Sequence, residues 1–274
     1  MPSQLSFIGA GNMARAIIQG LIASGHPPEK ITATATRDQT LAPLRERFAI
    51  ATSLDNRATA LNADVLILAV KPQKLAELCA GLRDTVQQRR PLVLSVAAGI
   101  RCSSIERWLG GNIAVVRSMP NTPSLVGTGA CGLYAAAGVS DAQRALVERL
   151  MGAVGITEWV EQEELLSVVT AIAGSAPAYF FYMIEALEKA GVAQGLKQDS
   201  ARRLAIQTAL GAAKMAALGE HDPETLKRQV MSPNGTTERA IQRFEAGGLE
   251  ALVLDACNAC RDRANELADQ LDQP

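Results

Sequence analysis

Histidine is almost missing from this chain, with two in 274 residues. His26 stands before Pro27-Pro28 and His221 before Asp222-Pro223, both of them turn signals. That leaves little room for histidine-based catalysis or a histidine-rich metal site. Cysteine is also sparse. Five cysteines, odd in number and scattered, argue against a disulfide framework. Cys257 and Cys260 form a C-x-x-C inside a helical pattern with no second pair, which favours plain helix cysteines over a zinc or redox pair. Charge of one sign is lacking too: 27 basic against 28 acidic residues give a net charge of -1. Nothing in that balance favours nucleic acid or an anionic membrane surface as a partner. No continuous apolar run approaches the roughly 20 residues that span a bilayer. Met1 to Ile8 show no basic leader or cleavage site, so a cytoplasmic protein is expected.

Apolar residues make up 48% of the chain and charged residues 20%, enough for one large or two medium globular domains. The first part alternates short apolar runs with helical patterns. Strands are predicted at Leu5–Ile8, Ile31–Ala35, Val65–Val70, Leu92–Val96, Ile113–Arg117, Gly129–Tyr134 and Ile156–Val160. Unbroken apolar runs such as Val65 to Val70 suit strands covered on both faces of a parallel sheet. Helical stretches at Asn12–Ser24, Leu41–Phe48, Gln73–Val86 and Ser103–Leu109 complete βαβ units. Residues 1–161 therefore read as a doubly wound α/β domain of the Rossmann type.

From 162 to 274 the texture is all helical, with patterns at Glu164–Ala173, Pro177–Ala190, Asp199–Leu218, Pro223–Val230, Thr237–Ala246 and Leu249–Leu271. Asp199 and Asp222 are expected N-caps, the latter with Pro223 in the first helical position. These helices are more apolar than a small monomeric bundle needs, which points to a large dimer interface.

Gly9-Ala10-Gly11-Asn12-Met13-Ala14 gives G-x-G-x-x-A directly after the first strand and before a helix. Gly9 permits the tight turn, Gly11 admits the pyrophosphate, and Ala14 lets the helix pack on the strand. After the second predicted strand come Thr36 and Arg37, a hydroxyl and a guanidinium suited to a 2′-phosphate. Asp38 follows, an acid that could instead serve the ribose of NADH. NADPH is the expected cofactor and NADH the alternative. Other strand ends supply walls for the crevice: Ala69-Val70-Lys71-Pro72, Ser95 to Gly99, and Met119 to Pro123. Far down the chain, Met231-Ser232-Pro233-Asn234-Gly235-Thr236-Thr237 places Pro, Gly and adjacent hydroxyls just before a helix. Free N–H groups there can hold a carboxylate; an ordinary helix cap has a similar composition.

Together these segments resemble the Δ1-pyrroline-5-carboxylate reductase family. The resemblance runs through GAGNMA (Gly9–Ala14), AVKP (Ala69–Pro72), SVAAGI (Ser95–Ile100), RSMPNTP (Arg117–Pro123), TAIAGSAPAYFF (Thr170–Phe181) and MSPNGTTERAI (Met231–Ile241). It covers nearly the whole chain in order. It implies reduction of a cyclic imine bearing a carboxylate to L-proline, with NAD(P)H. It also implies a homodimer interlocked through the helical domain, from which larger assemblies are built, with no nucleic acid or membrane partner. By the match, Thr237 lies against the ring nitrogen as the catalytic residue. Glu163, Gln229, Ser232, Gly235 and Thr236 join it around the substrate. Glu163 and Gln229 read equally as solvated helix residues, and Ser175 to Tyr179 either shapes the pocket or simply starts a helix at Pro177. The cofactor set comprises Gly9, Ala10, Gly11, Asn12 and Met13, then Thr36, Arg37 and Asn56. Ala69, Val70, Lys71, Pro72, Ala97 and Asn121 complete it. Asn234 stands where many relatives carry glycine, and asparagine tolerates the left-handed backbone such a turn needs. The rival readings are a β-hydroxyacid dehydrogenase, for which Lys189 or Lys214 would have to act, a reductase of a six-membered imino acid, and a non-catalytic NADP-binding sensor.

Overall fold

The computed structural model describes residues 2–271. Its sheet has eight strands: β1 (Leu5–Ile8), β2 (Ile31–Thr34), β3 (Ala51–Ser53), β4 (Val65–Leu68), β5 (Leu92–Ser95), β6 (Val115–Met119), β7 (Gly129–Ala135) and β8 (Gly155–Trp159). They lie in the order β3-β2-β1-β4-β5-β6-β7-β8. All neighbours from β3 to β6 are parallel; β7 runs antiparallel to β6, and β8 is parallel to β7. The sheet is thus parallel, as expected, only through β6. The chain winds outward from β1 to β3, returns to β4 beside β1, and then winds the other way. That reversal makes β1 and β4 the switch point, where ligands of open parallel sheets sit beyond the strands' carboxyl ends.

Twelve helices cover the described chain: α1 (Asn12–Ala23), α2 (Asp38–Phe48), α3 (Asn56–Leu61), α4 (Leu75–Arg89), α5 (Cys102–Trp108), α6 (Asp141–Gly152), α7 (Leu165–Val169), α8 (Ala176–Ala193), α9 (Gln198–Ala217), α10 (Pro223–Val230), α11 (Thr236–Ala246) and α12 (Leu249–Leu271). The period-two geometry of the strands sorts the core into two layers. Leu5, Phe7, Val65 and Ile67 face α1, α2 and α6 through Ile17, Ile18, Leu41, Leu44 and Leu150. Ile8, Leu66 and Leu68 face α3, α4 and α5 through Ala60, Leu75, Leu82 and Ile105. Each large side chain so buried contributes roughly 1.5–3 kcal/mol.

Three elements fall outside the predicted set. β3 is a three-residue edge strand whose side chains are partly or fully exposed, so it has no apolar pattern to read. α3 is six residues long and is held by Asp55, whose carboxylate accepts from the N–H groups of Arg57 and Ala58. α6 begins at a reciprocal capping box of Ser140 and Gln143, a signal that is visible in the sequence. Asp222 caps α10 as expected, accepting from Thr225 N at 2.7 Å. Asp199 does not cap α9; that place is taken by Lys197, and Asp199 stands within the first turn.

The chain forms two compact units. One comprises residues 2–175 with 260–271, and the other Ala176–Ala259. Among the described residues of the second unit only Ala176, Ala201 and Ala205 are buried, while Phe180, Phe181, Tyr182, Leu204 and Leu252 stand open. One expectation needs correcting. Leu165–Ala193 is a 29-residue helical run whose most apolar 18-residue stretch has a mean hydropathy of 1.5, long and apolar enough by length and composition to cross a membrane. Scattered residues such as Thr170 and Ser175 break the continuous apolar run without lowering the average enough. Within that run residues Thr170–Gly174 form a π-helical turn, closed by Ser175 N donating to Thr170 O at 2.8 Å.

Candidate active site

Every expected cofactor residue follows the carboxyl end of a parallel strand. Gly9 to Met13 come after β1, Thr36 and Arg37 after β2, Asn56 after β3, Ala69 to Pro72 after β4, Ala97 after β5 and Asn121 after β6. The fold therefore lines these separate segments along one edge of the sheet. At the switch point Gly9 has φ +107°, and a Cβ there would lie 2.5 Å from the Ala69 carbonyl oxygen. Its N–H donates to Thr34 O at 3.2 Å, and Ala69 N donates to Ile8 O at 2.9 Å. Gly9 is required by the protein itself.

Gly11 is different. It is the N-cap of α1 with ordinary extended angles, and a Cβ there would meet nothing within 4 Å. Packing gives no reason for glycine at this position. A ligand approaching the start of α1 does, because that twelve-residue helix has no side-chain cap and no acidic residue in its first turn. Free N–H groups and the positive end of the helix dipole together fit a pyrophosphate. Ala10 and Ala14 are buried beneath the loop, Met13 is half-buried and Asn12 is exposed. Arg15 braces the turn, donating to Ala10 O and to Thr40 O.

At the far end of the crevice, Thr36 and Arg37 are exposed and Arg37 caps α2 without a side-chain bond. Asp38 is engaged. Arg45, two turns along the same helix, grips both of its oxygens at 2.6 and 2.9 Å. Arg45 also donates to Thr52 of β3 at 2.9 Å. The guanidinium beside it holds the Asp38 carboxyl below the usual range. Asn56, the first residue of α3, is half-buried, and Lys71 is exposed before a short 3-10 turn, Pro72–Lys74.

Pro72 and Ala97 also line a cavity of about 220 Å³, together with Arg117, Met119 and Glu163 and, opposite them, Ala264 and Ala268 of α12. Glu163 is not a solvated helix residue. It precedes α7, and its Oε1 accepts from Arg117 Nη1 at 2.6 Å and from the Cys102 N–H at 2.7 Å. The two side chains are only 11% and 17% exposed. Removing one member of so enclosed a pair leaves an uncompensated charge, at a cost of about 3 kcal/mol. Arg117→Met should therefore lower stability by about that amount in denaturant titrations at fixed protein concentration. Adding Glu163→Gln to it should recover part of the loss. An Arg117→Met protein as stable as the parent would count against the pair as the anchor of this loop.

Asn121 follows β6 and is buried. Its side chain is 8% exposed and bonded at both ends: Nδ2 donates to Ala173 O at 3.1 Å, and Oδ1 accepts from Ala130 N at 3.0 Å. Ala173 is the residue whose helical donor four positions on would be Pro177, which has no N–H. Asn121 thus braces a carbonyl left short by proline, with both ends of its side-chain amide engaged within the protein.

The remaining predicted residues belong to the second unit. Gln229 is exposed near the end of α10. The loop that follows is tightly determined. Gly235 N donates to Ser232 O at 2.8 Å, and Asn234 N donates to Glu238 Oε2 at 2.6 Å. Asn234 takes the left-handed conformation, with φ +58°. A Cβ on Gly235 would fall 2.3 Å from Ser232 Oγ. One expected carboxylate donor, the Gly235 N–H, is therefore already engaged. Thr236 and Thr237 open α11, where first-turn N–H groups lack helical acceptors. Thr237 is half-buried, and no bond to its hydroxyl occurs among the described residues.

Two family models match the chain. "NADP oxidoreductase coenzyme F420-dependent" matches residues 4–99, and "Pyrroline-5-carboxylate reductase dimerisation" matches residues 163–267. The pyrroline-5-carboxylate reductase of Pseudomonas aeruginosa is 47% identical over 270 residues, 98% of each chain. The chain belongs to the pyrroline-5-carboxylate reductase family. The reductase of Vibrio alginolyticus is 44% identical, over 96% of this chain and 97% of its own. Among solved structures, the reductase from Coxiella burnetii superposes with a TM-score of 0.95 at 44% identity, covering 97% of this chain and 99% of its own. A Plasmodium falciparum pyrroline carboxylate reductase, solved with NADP bound, has the same fold, with a TM-score of 0.84 at 24% identity over 97% and 98% of the chains.

Membership in the reductase family accounts for the exposed apolar helices. The dimerisation match spans 163–267, which includes the helices whose large side chains stand open in a single chain. Two polar residues of the site, Arg117 and Arg45, carry no role in the sequence reading, although Arg117 opens the RSMPNTP segment. Arg117 could have been found as a charge inside a strand otherwise buried on both faces, where an unpaired guanidinium is costly. Arg45 gives no such sign, because an arginine on a surface helix looks ordinary until its acceptors are known.

Proposed function

We propose that this chain reduces 1-pyrroline-5-carboxylate to L-proline with NADPH, and that Thr237 is the residue that meets the imine nitrogen. The observation that carries these roles is the start of α11, with unbonded first-turn donors, an unbonded hydroxyl and a glycine too close to Ser232 to be anything else. The Thr236 and Thr237 N–H groups take the substrate carboxylate, aided by the helix dipole. Ser232 and Gly235 shape that turn, and Gln229 near the end of α10 adds polar surface in the same unit. Thr237 Oγ1 can accept from a protonated imine N–H or donate to the neutral nitrogen. When bound, the reduced nicotinamide supplies the hydride to C5. The chain's own contribution is to fix the imine carbon at about 3–3.5 Å from the donor and to stabilise charge at nitrogen.

Gly9 to Met13 receive the pyrophosphate, and Thr36 and Arg37 receive the 2′-phosphate. Asn56, Ala69, Val70, Lys71, Pro72 and Ala97 form the remaining walls. The dehydrogenase reading needs a catalytic lysine, and Lys189 is instead paired on the surface with Glu185 at 2.5 Å. An even charge balance and five free cysteines suit a cytoplasmic enzyme working as a homodimer, without nucleic acid or membrane partners. The test is an absorbance assay at the nicotinamide band. NADPH should be consumed with pyrroline-5-carboxylate, and NADP+ should not be reduced with 3-hydroxy acids. Turnover of the hydroxy acids alone would overturn the assignment.

A further inference from the structure

We infer that Arg45, outside every cofactor motif, sets the preference for NADPH over NADH by holding Asp38 away from the cofactor's ribose. This rests on the proposed binding of the 2′-phosphate by Thr36 and Arg37, and it deepens that reading. Asp38 directly follows those residues and opens α2. It stands just after the strand end where NADH-binding folds keep the acid that accepts from the ribose 2′-OH. A free carboxylate here would act twice. It would offer NADH an acceptor, and it would repel the doubly charged 2′-phosphate of NADPH.

The structure closes off both actions. Arg45 occupies both oxygens of Asp38 and is itself fixed from a third side by Thr52 on β3. The guanidinium is bonded on both sides, to the carboxylate at the start of α2 and to Thr52 on β3. This holds it in place better than a singly bonded lysine, although the two side chains of the pair are 41% and 62% exposed. The pair also offsets part of the charge of Asp38, which leaves Arg37 more of its attraction for phosphate. Arg37 itself makes no ion pair among the described residues. Arg45 is therefore a positioning residue that acts through Asp38 and needs no contact with the cofactor.

The inference is tested by calorimetric dissociation constants for NADP+ and NAD+ on the intact dimer, with kcat/KM for NADPH and NADH beside them. Arg45→Met should weaken NADP+ and strengthen NAD+, moving the affinity ratio by about fivefold. Asp38→Asn alone should leave the ratio within about twofold of the parent, because its carboxylate is already engaged. The Arg45→Met/Asp38→Asn double variant should return the ratio close to the parent's, a coupling that distant sites do not show. A merely structural Arg45 would weaken both cofactors in parallel, with no rescue by Asp38→Asn; that result overturns the inference. The underlying 2′-phosphate reading is checked separately by Arg37→Met. If Arg37→Met leaves NADP+ affinity unchanged, that reading fails even where the Arg45 ratio shifts.

Discussion

Thr237→Ala should lower kcat/KM for pyrroline-5-carboxylate by roughly one to three powers of ten, with the cofactor dissociation constant unchanged. The size follows from what the substitution removes. Thr237 is the second residue of α11, and its hydroxyl has no partner among the described residues, so nothing in the fold depends on it. Its backbone N–H stays in the alanine variant, and the carboxylate contact with it. What is lost is one hydrogen bond at the nitrogen, where charge changes as the hydride arrives. The loss should appear mainly in kcat, because a contact that strengthens in the transition state changes KM little. Thr237→Ser should keep most of the activity. Unchanged steady-state kinetics for Thr237→Ala would falsify the role given to this residue.

The paired glycines make the second large prediction, in which two similar substitutions give opposite phenotypes. Gly11→Ala should fold with a melting temperature close to the parent's. Its φ of -73° is allowed for alanine, the new Cβ meets nothing, and the cost of a poorer N-cap is about 1 kcal/mol or less. Its NADP+ affinity should nevertheless fall by roughly ten- to a hundredfold, because the methyl occupies the space left for the pyrophosphate. Gly9→Ala should instead damage the fold. At φ +107° the backbone is strained for any L side chain, and the Cβ would press on a backbone carbonyl that cannot move without displacing β4. A loss of about 3 kcal/mol or more, read by denaturant titration, is expected. Equal loss of stability in both variants would remove the argument that Gly11 is kept for a ligand.

Much of this was legible in the residues. The continuous apolar runs announced strands covered on both faces, because a strand sandwiched by helices has no polar side to display. G-x-G-x-x-A between strand and helix announced the cofactor, and SPNGTT at the start of α11 announced a turn followed by free helix-terminal donors. Each is a local signal, since backbone conformation and helix-terminal donors are set by neighbours in sequence. Local signals failed where structure is stabilised from elsewhere. β3 has no apolar periodicity because it is a short edge paired only with β2. Asp199 has the right chemistry for a cap, but the helix began two residues earlier.

The sequence by itself determined a doubly wound cofactor domain, a helical partner-seeking region, and a shortage of histidine beside a threonine-rich helix start. Only the tertiary structure decided which polar side chains are free. Asn121 and the Gly235 N–H looked available and are bonded within the protein. Glu163 read as readily as a solvated surface residue and is held by Arg117 and the Cys102 N–H. Asp38 could have served the ribose of NADH and is bonded through both oxygens to Arg45. The physical reason is the same in each case. A donor or acceptor is available only when no nearer partner satisfies it. Asn121 and Glu163 find theirs on distant segments, whereas Asp38 and the Gly235 N–H find theirs within the same helix or turn, in a geometry that only the folded backbone fixes.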